Sequence, residues 1–355
     1  MPASEWKIDF PTLGYLWEAW VKAHCTVPGG YDVGKPLVWS DWQFWVGANF
    51  GRVKEKATYN GKLIGVDAFH YSRALVVAPQ KTGKGPFAAT MTLLFAVGPV
   101  EFCGWSDGTE VYRCIDHGCP CGFEFEYKAG EPMGVPHPQP LIQLAAASED
   151  QVANTYDPLR SMVSSNENLQ EQMTDRQSFI RIKKDTGSKD NARIDVVSSS
   201  ARSRLGNPIT FAVMDETGTW TKGNRLLSLA DTMRRSLAGM KGRSIETTNA
   251  WNSSENSVAQ RTYESRSGNT FIFYEKPPPK LSWTRKRDRR KILEAVYEGS
   301  PWVSIDAVMR EAEELSETDP HMAARFFGNK ITQGTGRYIP EELWEECYAG
   351  NEVVE

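Results

Sequence analysis

The chain has 355 residues, of which 40% are hydrophobic and 24% charged, with a formal net charge of −4. That length leaves room for a large core domain plus a smaller attachment, and the balance excludes a disordered, fibrous or collagen-like chain. No run approaches the roughly 20 apolar residues of a membrane span, and MPASEWKIDF lacks the basic-then-apolar pattern of a secretory signal, so the six cysteines are expected to be reduced thiols in a cytoplasm.

The first 70 residues are rich in Trp and Tyr, and LVWSDWQFWVG (37–47) is their one marked feature. ALVVA (74–78) reads as a buried strand. It runs directly into PQKTGKG (79–85) and then the apolar, helix-like PFAATMTLLFAV (86–97). Strand, glycine-containing loop and helix, in that order, are what a phosphate-binding loop requires. Residues 104–140, dense in Gly, Pro, Cys and His, read as an inserted loop or hairpin. LIQLAAA (141–147) is the next buried strand, and Ser148 with Gln151 three positions on carries a helix-capping signature. Residues 165–191 are polar and read as exposed chain. IDVVSSS (194–200), ITFAVMD (209–215) and RSIETTNA (243–250) are further strands, the second apolar almost throughout. Apolar strands alternating with helical stretches predict a mostly parallel α/β sheet with helices on both faces. After about residue 270 the pattern changes: PPPK (277–280) breaks the chain, the basic run RKRDRRK (285–291) follows, and 291–327 reads as mostly helical. The expected division is a sheet domain over 1–270, with its Cys/Gly/Pro-rich insertion at about 103–140, and a small mainly helical subdomain over 271–355.

Four features carry chemistry. In APQKTGKG, Pro79, Gln80, Lys81, Thr82, Gly83, Lys84 and Gly85 form a loop whose backbone N–H groups can converge on phosphates, with Lys84 offsetting their charge. The usual first Gly is Ala78, and the usual Ser/Thr after the lysine, which normally ligates Mg²⁺, is Gly85. Asp215 and Glu216 end an apolar strand, where Asp215 can hold Mg²⁺ and Glu216 can orient and deprotonate water. Thr247, Thr248 and Asn249, at another strand tip, can hydrogen-bond the γ-phosphate or the attacking water. Gln43 can donate to and accept from an adenine edge beside a stacking aromatic. Separately, Cys103, Cys114, Cys119 and Cys121 fall within 19 residues that include His117. Cys114, His117, Cys119 and Cys121 resemble half of a zinc ribbon, although the spacing matches no paired CxxC arrangement and an ordinary reduced loop is the plainer reading.

Taken together and in this order, the motifs resemble the large terminase subunit of tailed bacteriophages along nearly the whole chain. WQ-F resembles that family's adenine-reading Q motif, APQKTGKGPFAA its variant Walker A, FAVMDE its Walker B and IETTNAW its coupling motif; IQLAAASEDQVANTYDPLRSM and ARFFGNKI fit as well. The resemblance implies a P-loop NTPase of the additional-strand (ASCE) class that hydrolyses ATP with Mg²⁺ and moves double-stranded DNA into a capsid. It assigns Gln43 to adenine, Lys84 to the phosphates, Asp215 to Mg²⁺, Glu216 to catalysis and Thr247, Thr248 and Asn249 to coupling. An arginine common early in the family's Walker A is replaced by Gln80, so an arginine supplied in trans is expected, with Arg160, Arg202 and Arg204 as candidates. It further implies portal protein and small terminase subunit as partners, a homo-oligomeric ring on the capsid, and the host-cell cytoplasm. The family's ribonuclease-H-like nuclease would begin about where this chain stops, so cleavage is not expected of it. RKRDRRK and the set Arg234, Arg235, Lys241 and Arg243 are candidate DNA-gripping groups. The rival readings are a helicase-like or other DNA-dependent ATPase of the same class, and a nucleotide-binding assembly module that hydrolyses little because Gly85 has no hydroxyl.

Overall fold

Two N-terminal helices, α1 (Gly14–His24) and α2 (Asp41–Phe50), precede strand β1 (Arg73–Val77) and helix α3 (Lys84–Val97) in the computed structural model, which describes residues 6–176, 179–183, 192–197, 207–265 and 267–333. An arm then leaves the end of α3. Its strands β2 (Glu101–Trp105), β3 (Val111–Arg113), β4 (Glu124–Glu126) and β5 (Pro132–Val135) make two antiparallel pairs, β2 with β5 and β3 with β4. The chain returns as β6 (Leu141–Ala145), α4 (Glu149–Ser164) and α5 (Glu167–Gln172). It continues through β7 (Met173–Arg176), β8 (Phe179–Ile182), β9 (Arg193–Val197), β10 (Phe211–Asp215), α6 (Leu226–Gly239), β11 (Arg243–Thr248), α7 (Val258–Glu264) and β12 (Thr270–Tyr274). Three helices close the described part: α8 (Lys286–Val296), α9 (Ile305–Thr318) and α10 (Pro320–Phe326). Among the described residues no helix is long and apolar enough to cross a membrane.

Among the described residues the central sheet has eight strands, in the order β12-β1-β11-β10-β6-β9-β8-β7. The first six pair in parallel, and β8 and β7 add an antiparallel edge. The apolar continuity of β1, β6 and β10 has a direct cause, because a parallel strand covered on both faces must bury alternate side chains in opposite directions. In β10, Phe211 and Val213 face the cluster that holds α1–α4, whereas Ala212 and Met214 face α6 and Val258 of α7. Helix α3 is buried along nearly its whole length, which explains why its sequence is apolar all round rather than striped.

The expected α/β class with a mostly parallel sheet is what the structure has. The segment expected as exposed chain at 165–191 instead supplies α5 and the β7–β8 hairpin. There Met173, Ile180 and Ile182 point inward between mostly polar neighbours, so a half-buried edge reads as merely polar in sequence. Strand β12 pairs with β1 and so carries the sheet to Tyr274, just past the expected boundary at 270. The helices α8–α10 share a small core of Trp283, Ile292, Leu293, Val296, Val308, Met309, Ala312, Ala323 and Ala324.

That helical unit is tied to the sheet by buried Asn329, in the ARFFGNKI stretch. Its side-chain Nδ2 donates to the carbonyls of Val77 (3.1 Å) and Glu275 (2.8 Å), and its Oδ1 accepts from the Ala250 N–H (3.0 Å). One amide thus joins the ends of β1, β12 and β11.

Candidate functional site

Strands β1, β11 and β10 run in parallel, so their carboxyl ends open onto one edge of the sheet, where ligands of open α/β sheets gather. β11 lies between β1, which leads into Ala78–Gly85, and β10, which ends in Asp215. The loop and the acidic pair therefore flank Thr247, Thr248 and Asn249 rather than adjoining each other.

The loop is wound tightly against the start of α3. Gly83, the residue before the helix, has φ 86°, a left-handed backbone open to glycine at little cost. Thr82 is buried, its hydroxyl donating to the Pro79 carbonyl (2.8 Å). Lys84 is buried, and its ammonium spends its three donors on the carbonyls of Ala78 (2.9 Å) and Pro79 (2.7 Å) and on Asn249 Oδ1 (2.9 Å). The Asn249 amide donates in turn to both oxygens of Glu216 (3.4 and 3.2 Å). Beside this chain, Thr247 donates to Asp215 Oδ1 (2.5 Å), which also accepts from the Glu216 N–H (3.0 Å). Thr248 does not face the acids; its hydroxyl accepts from the Gly218 N–H (2.9 Å) and donates to the Asn249 carbonyl (2.8 Å), bracing the turn after β10. Lys84, Asn249, Glu216, Asp215 and Thr247 thus form one cluster.

Its electrostatics follow from burial. Desolvation pushes the Glu216 carboxyl up to about 7, with Lys84 opposing and Asp215 reinforcing the shift. Asp215 is raised by desolvation too, against its bond from Thr247 and the nearby Lys84. Desolvation lowers Lys84, and the two carboxylates hold it up. Two acids facing one ammonium suit a further cation, and Asp215 Oδ2 takes no hydrogen bond from the described residues. Glu216 also sits in left-handed backbone (φ 55°, ψ 40°), a conformation non-glycine residues adopt at a cost of order 1 kcal/mol or more.

Gly85, where a hydroxyl is usual, has a steric reason. A Cβ there would lie 2.4 Å from the main-chain oxygen of Asn154 in α4. That carbonyl's regular helical donor would be residue 158, and residue 158 is Pro158, which has no N–H. The carbonyl is left leaning on α3, and only glycine fits beneath it.

Gln43 is buried at the start of α2, where its Oε1 accepts from the Ser40 N–H (2.9 Å) in a capping box and its Nε2 reaches the Gly83 carbonyl (3.4 Å). Trp42, its sequence neighbour, is a core residue stacked on Phe273 (5.5 Å) and is closed to a base. The aromatic that does stand beside the loop is Trp302, 53% exposed, whose indole donates to the Lys81 carbonyl (3.1 Å). A Cβ on Gly83 would meet both Trp302 (3.0 Å) and Gln43 (3.2 Å), so the three form one shallow corner. Trp302 lies more than 200 residues from the loop in sequence, and nothing local marks it. The loop is further held by the Gln80 N–H donating to the Phe326 carbonyl (2.9 Å).

The other candidates separate. Arg160 is on the surface of α4, paired with Asp175 (2.8 Å), and Arg202 and Arg204 lie outside the described residues. Two of the supposed DNA-gripping groups are structural instead. Arg243 is buried over the rings of Phe50 (3.9 Å) and Phe69 (4.0 Å) and bonds the carbonyls of Phe50 and Tyr71, and Arg234 pairs with fully buried Glu246 (2.7 Å). Both arginines sit where they neutralise or cover the interior. RKRDRRK forms the start of α8 and keeps Arg285, Lys286, Arg287, Arg290 and Lys291 exposed. Cys114, Cys119 and Cys121 do gather, but with His24 of α1; His117 stacks on Tyr112 (5.0 Å) and is not in the group. Its place in the sequence motif was misleading because the turn aims it away from the sulfurs.

No family model matches the chain. Among known proteins it is 22% identical to the Gene 13 protein of Mycobacterium phage D29 and 24% identical to that of Mycobacterium phage L5, in both cases over 97% of this chain. It spans 60% and 59% of the length of those two relatives. The fold is that of the HK97 bacteriophage large terminase, whose crystal structure superposes with a TM-score of 0.61 at 16% identity, covering 90% of this chain and 55% of that one.

Proposed function

We propose that this chain is the ATP-hydrolysing motor part of a bacteriophage large terminase, acting in the host cytoplasm to drive double-stranded DNA into a capsid. The observation that carries the reading is the hydrogen-bonded run from Lys84 through Asn249 to Glu216, with Asp215 and Thr247 alongside, at the carboxyl ends of β1, β11 and β10.

The nucleotide's phosphates would sit on the backbone N–H groups of Lys81–Gly85 and the amino end of α3, where the helix dipole favours negative charge. Because all three donors of Lys84 are already used, phosphate arrival must displace one acceptor. Asn249 is the mobile one, as the other two are main-chain carbonyls of the loop itself. Freed from Lys84, Asn249 keeps its bonds to Glu216 and is positioned to register whether the γ-phosphate is present. Glu216 holds a proton near neutrality and, once ionised, takes the proton of the attacking water; a base with a pKa near the working pH is the efficient choice. Mg²⁺, held by the carboxylate of Asp215, would neutralise charge on the outer phosphates. Without a hydroxyl at position 85, the protein's own hold on that ion rests on fewer oxygens than usual. In the corner by Gly83, Trp302 offers the face for the base and Gln43 the polar edge, its Oε1 having a second lone pair beyond the one given to Ser40.

An arginine from a neighbouring copy would complete the site, Arg160 being the exposed candidate on α4. Portal protein, small terminase subunit and a ring of copies on the capsid belong to the same proposal, as does a sequence-indifferent, salt-sensitive grip on DNA. The test is ATP turnover with and without double-stranded DNA. Wild-type turnover that rises with DNA and falls at least ~100-fold in Glu216→Ala supports the reading. Turnover that survives Glu216→Ala removes the catalytic assignment. Nucleotide binding without turnover at high protein concentration favours the assembly-module alternative, and strand separation favours the helicase-like one.

A further inference from the structure

We propose that the inserted arm carries a structural zinc ion, bound by Cys114, Cys119 and Cys121 of the arm and by His24 of α1. The four ligand atoms, three sulfurs and one ring nitrogen, lie within 4.8 Å of one another. His24 Nε2 is 3.1 Å from the Cys121 sulfur and 3.6 Å from those of Cys114 and Cys119. A tetrahedron built on zinc–nitrogen and zinc–sulfur bonds of about 2.0 and 2.3 Å has N···S edges of about 3.5 Å, so the side chains already stand close to the required spacing.

The surroundings are those of a ligand set rather than of four chance neighbours. His24 Nδ1 lies 2.8 Å from the Trp20 carbonyl, which can only accept, so Nδ1 carries the proton and Nε2 turns its lone pair to the sulfurs. The ring is fixed by stacking on Trp20 (4.2 Å) and by the edge contact with Phe123 (5.7 Å). The Phe123 N–H points at the Cys121 sulfur (3.4 Å), and the Cys119 N–H donates to the Cys114 carbonyl (3.1 Å), wrapping the turn around the three sulfurs. His24, Cys114 and Cys119 are buried, at 1%, 1% and 4% exposure. Three thiolates and an imidazole are soft donors that select zinc over magnesium or calcium, and four protein ligands leave no open position, which marks a structural site rather than a catalytic one.

The consequence is mechanical. The β3–β4 hairpin is small and polar outside, and β3 and β4 have only three residues each. Pinning its turn to the last residue of α1 fixes the arm against the domain from 90 residues away in sequence. The arm leaves the end of α3 opposite Lys84, so the zinc takes no part in nucleotide chemistry, and this inference stands or falls separately from the proposed motor function.

The experiment uses the whole chain, expressed in zinc-supplemented medium and purified reduced and without chelator. Metal analysis should find about one zinc per chain. Exchange into cobalt should give the visible ligand-field bands of a tetrahedral site together with thiolate-to-cobalt charge transfer. His117→Ala should keep the full equivalent, His24→Ala should lose most of it, and His24→Cys should restore it with cobalt bands shifted toward an all-sulfur set. If His24→Ala fails to fold, the comparison of His24→Cys with His117→Ala decides the ligand. Less than a tenth of an equivalent of zinc in wild type with no cobalt bands overturns the site. Zinc lost in His117→Ala but kept in His24→Ala overturns the ligand assignment.

Discussion

Replacing Gly85 by serine restores the residue expected after a phosphate-loop lysine, and the structure says it will harm the protein. A Cβ at residue 85 would stand 2.4 Å from the Asn154 oxygen, where ordinary contact begins near 3.4 Å, so α3 and α4 would have to part by about 1 Å. The obstacle is main chain, which cannot rotate away as a side-chain tip could. Overpacking of this kind costs ~1–3 kcal/mol, a drop in Tm of roughly 1–4 °C for a chain of this size. The adjacent residue is Lys84, and a displacement of about 1 Å at a reacting centre can cost ~100-fold in rate. The expected outcome for Gly85→Ser is therefore a lower Tm by calorimetry and a kcat/KM for ATP reduced about 10- to 100-fold, with Gly85→Ala giving the same loss. Gly85→Ser with an unchanged Tm and faster hydrolysis than wild type would refute the steric account and show that the missing hydroxyl was the limiting feature.

Because burial raises Glu216 to about 7, kcat/KM for ATP should rise with pH through that value, and the inflection should vanish from the residual rate of Glu216→Gln. For stability the sign runs the other way: a raised acid favours the folded state below the unfolded pKa of about 4.5 and loses that contribution as pH climbs through about 7. Glu216→Gln should thus melt higher than wild type at pH 8, by a margin that shrinks as the pH is lowered, which thermal melts across pH will read. Asn249→Ala should lower kcat about 10- to 100-fold while leaving ADP affinity within a few-fold, separable by turnover and equilibrium binding; equal losses in both would deny it a role confined to the γ-phosphate. Trp302→Ala should raise KM for ATP and abolish nucleotide-induced quenching of tryptophan fluorescence, with a change in stability within ~0.5 kcal/mol since the ring is half exposed. Arg243→Ala should cost about 2 kcal/mol or more of stability by losing its cation–π contacts, whereas Arg287→Glu with Lys291→Glu should leave stability alone and flatten the salt dependence of DNA binding.

What was legible in the sequence is what is local. The loop before α3 and the Asp215–Glu216 tip of β10 each lie within one strand-and-turn, and buried parallel strands announce themselves by apolar continuity. Thr247–Asn249 could be marked only as a polar strand end. That β11 lies between the loop strand and the acidic strand, making Asn249 the bridge, follows from pairing, which no local pattern encodes. The same reason hides His24, Trp302 and Asn329. Each meets its partners across long stretches of chain, and each looks in sequence like an ordinary helix end, surface aromatic or polar turn residue. The cysteines were visible as a set, but the nearest histidine in sequence is not the nearest in space. Arg243 and Arg234 show the converse error, since a cluster of basic letters says nothing about which way the side chains face.

Asn329 has a consequence for any motion this molecule makes. Its amide closes on the ends of three strands at once, directly behind the loop that would cradle a nucleotide, while its own main chain continues from α10. A swing of α8–α10 against the sheet would have to break all three bonds together, in an interior where no water replaces them. Displacement begun at the sheet edge would therefore reach the basic face of α8 with little slack, as force passes through a welded joint rather than a hinge.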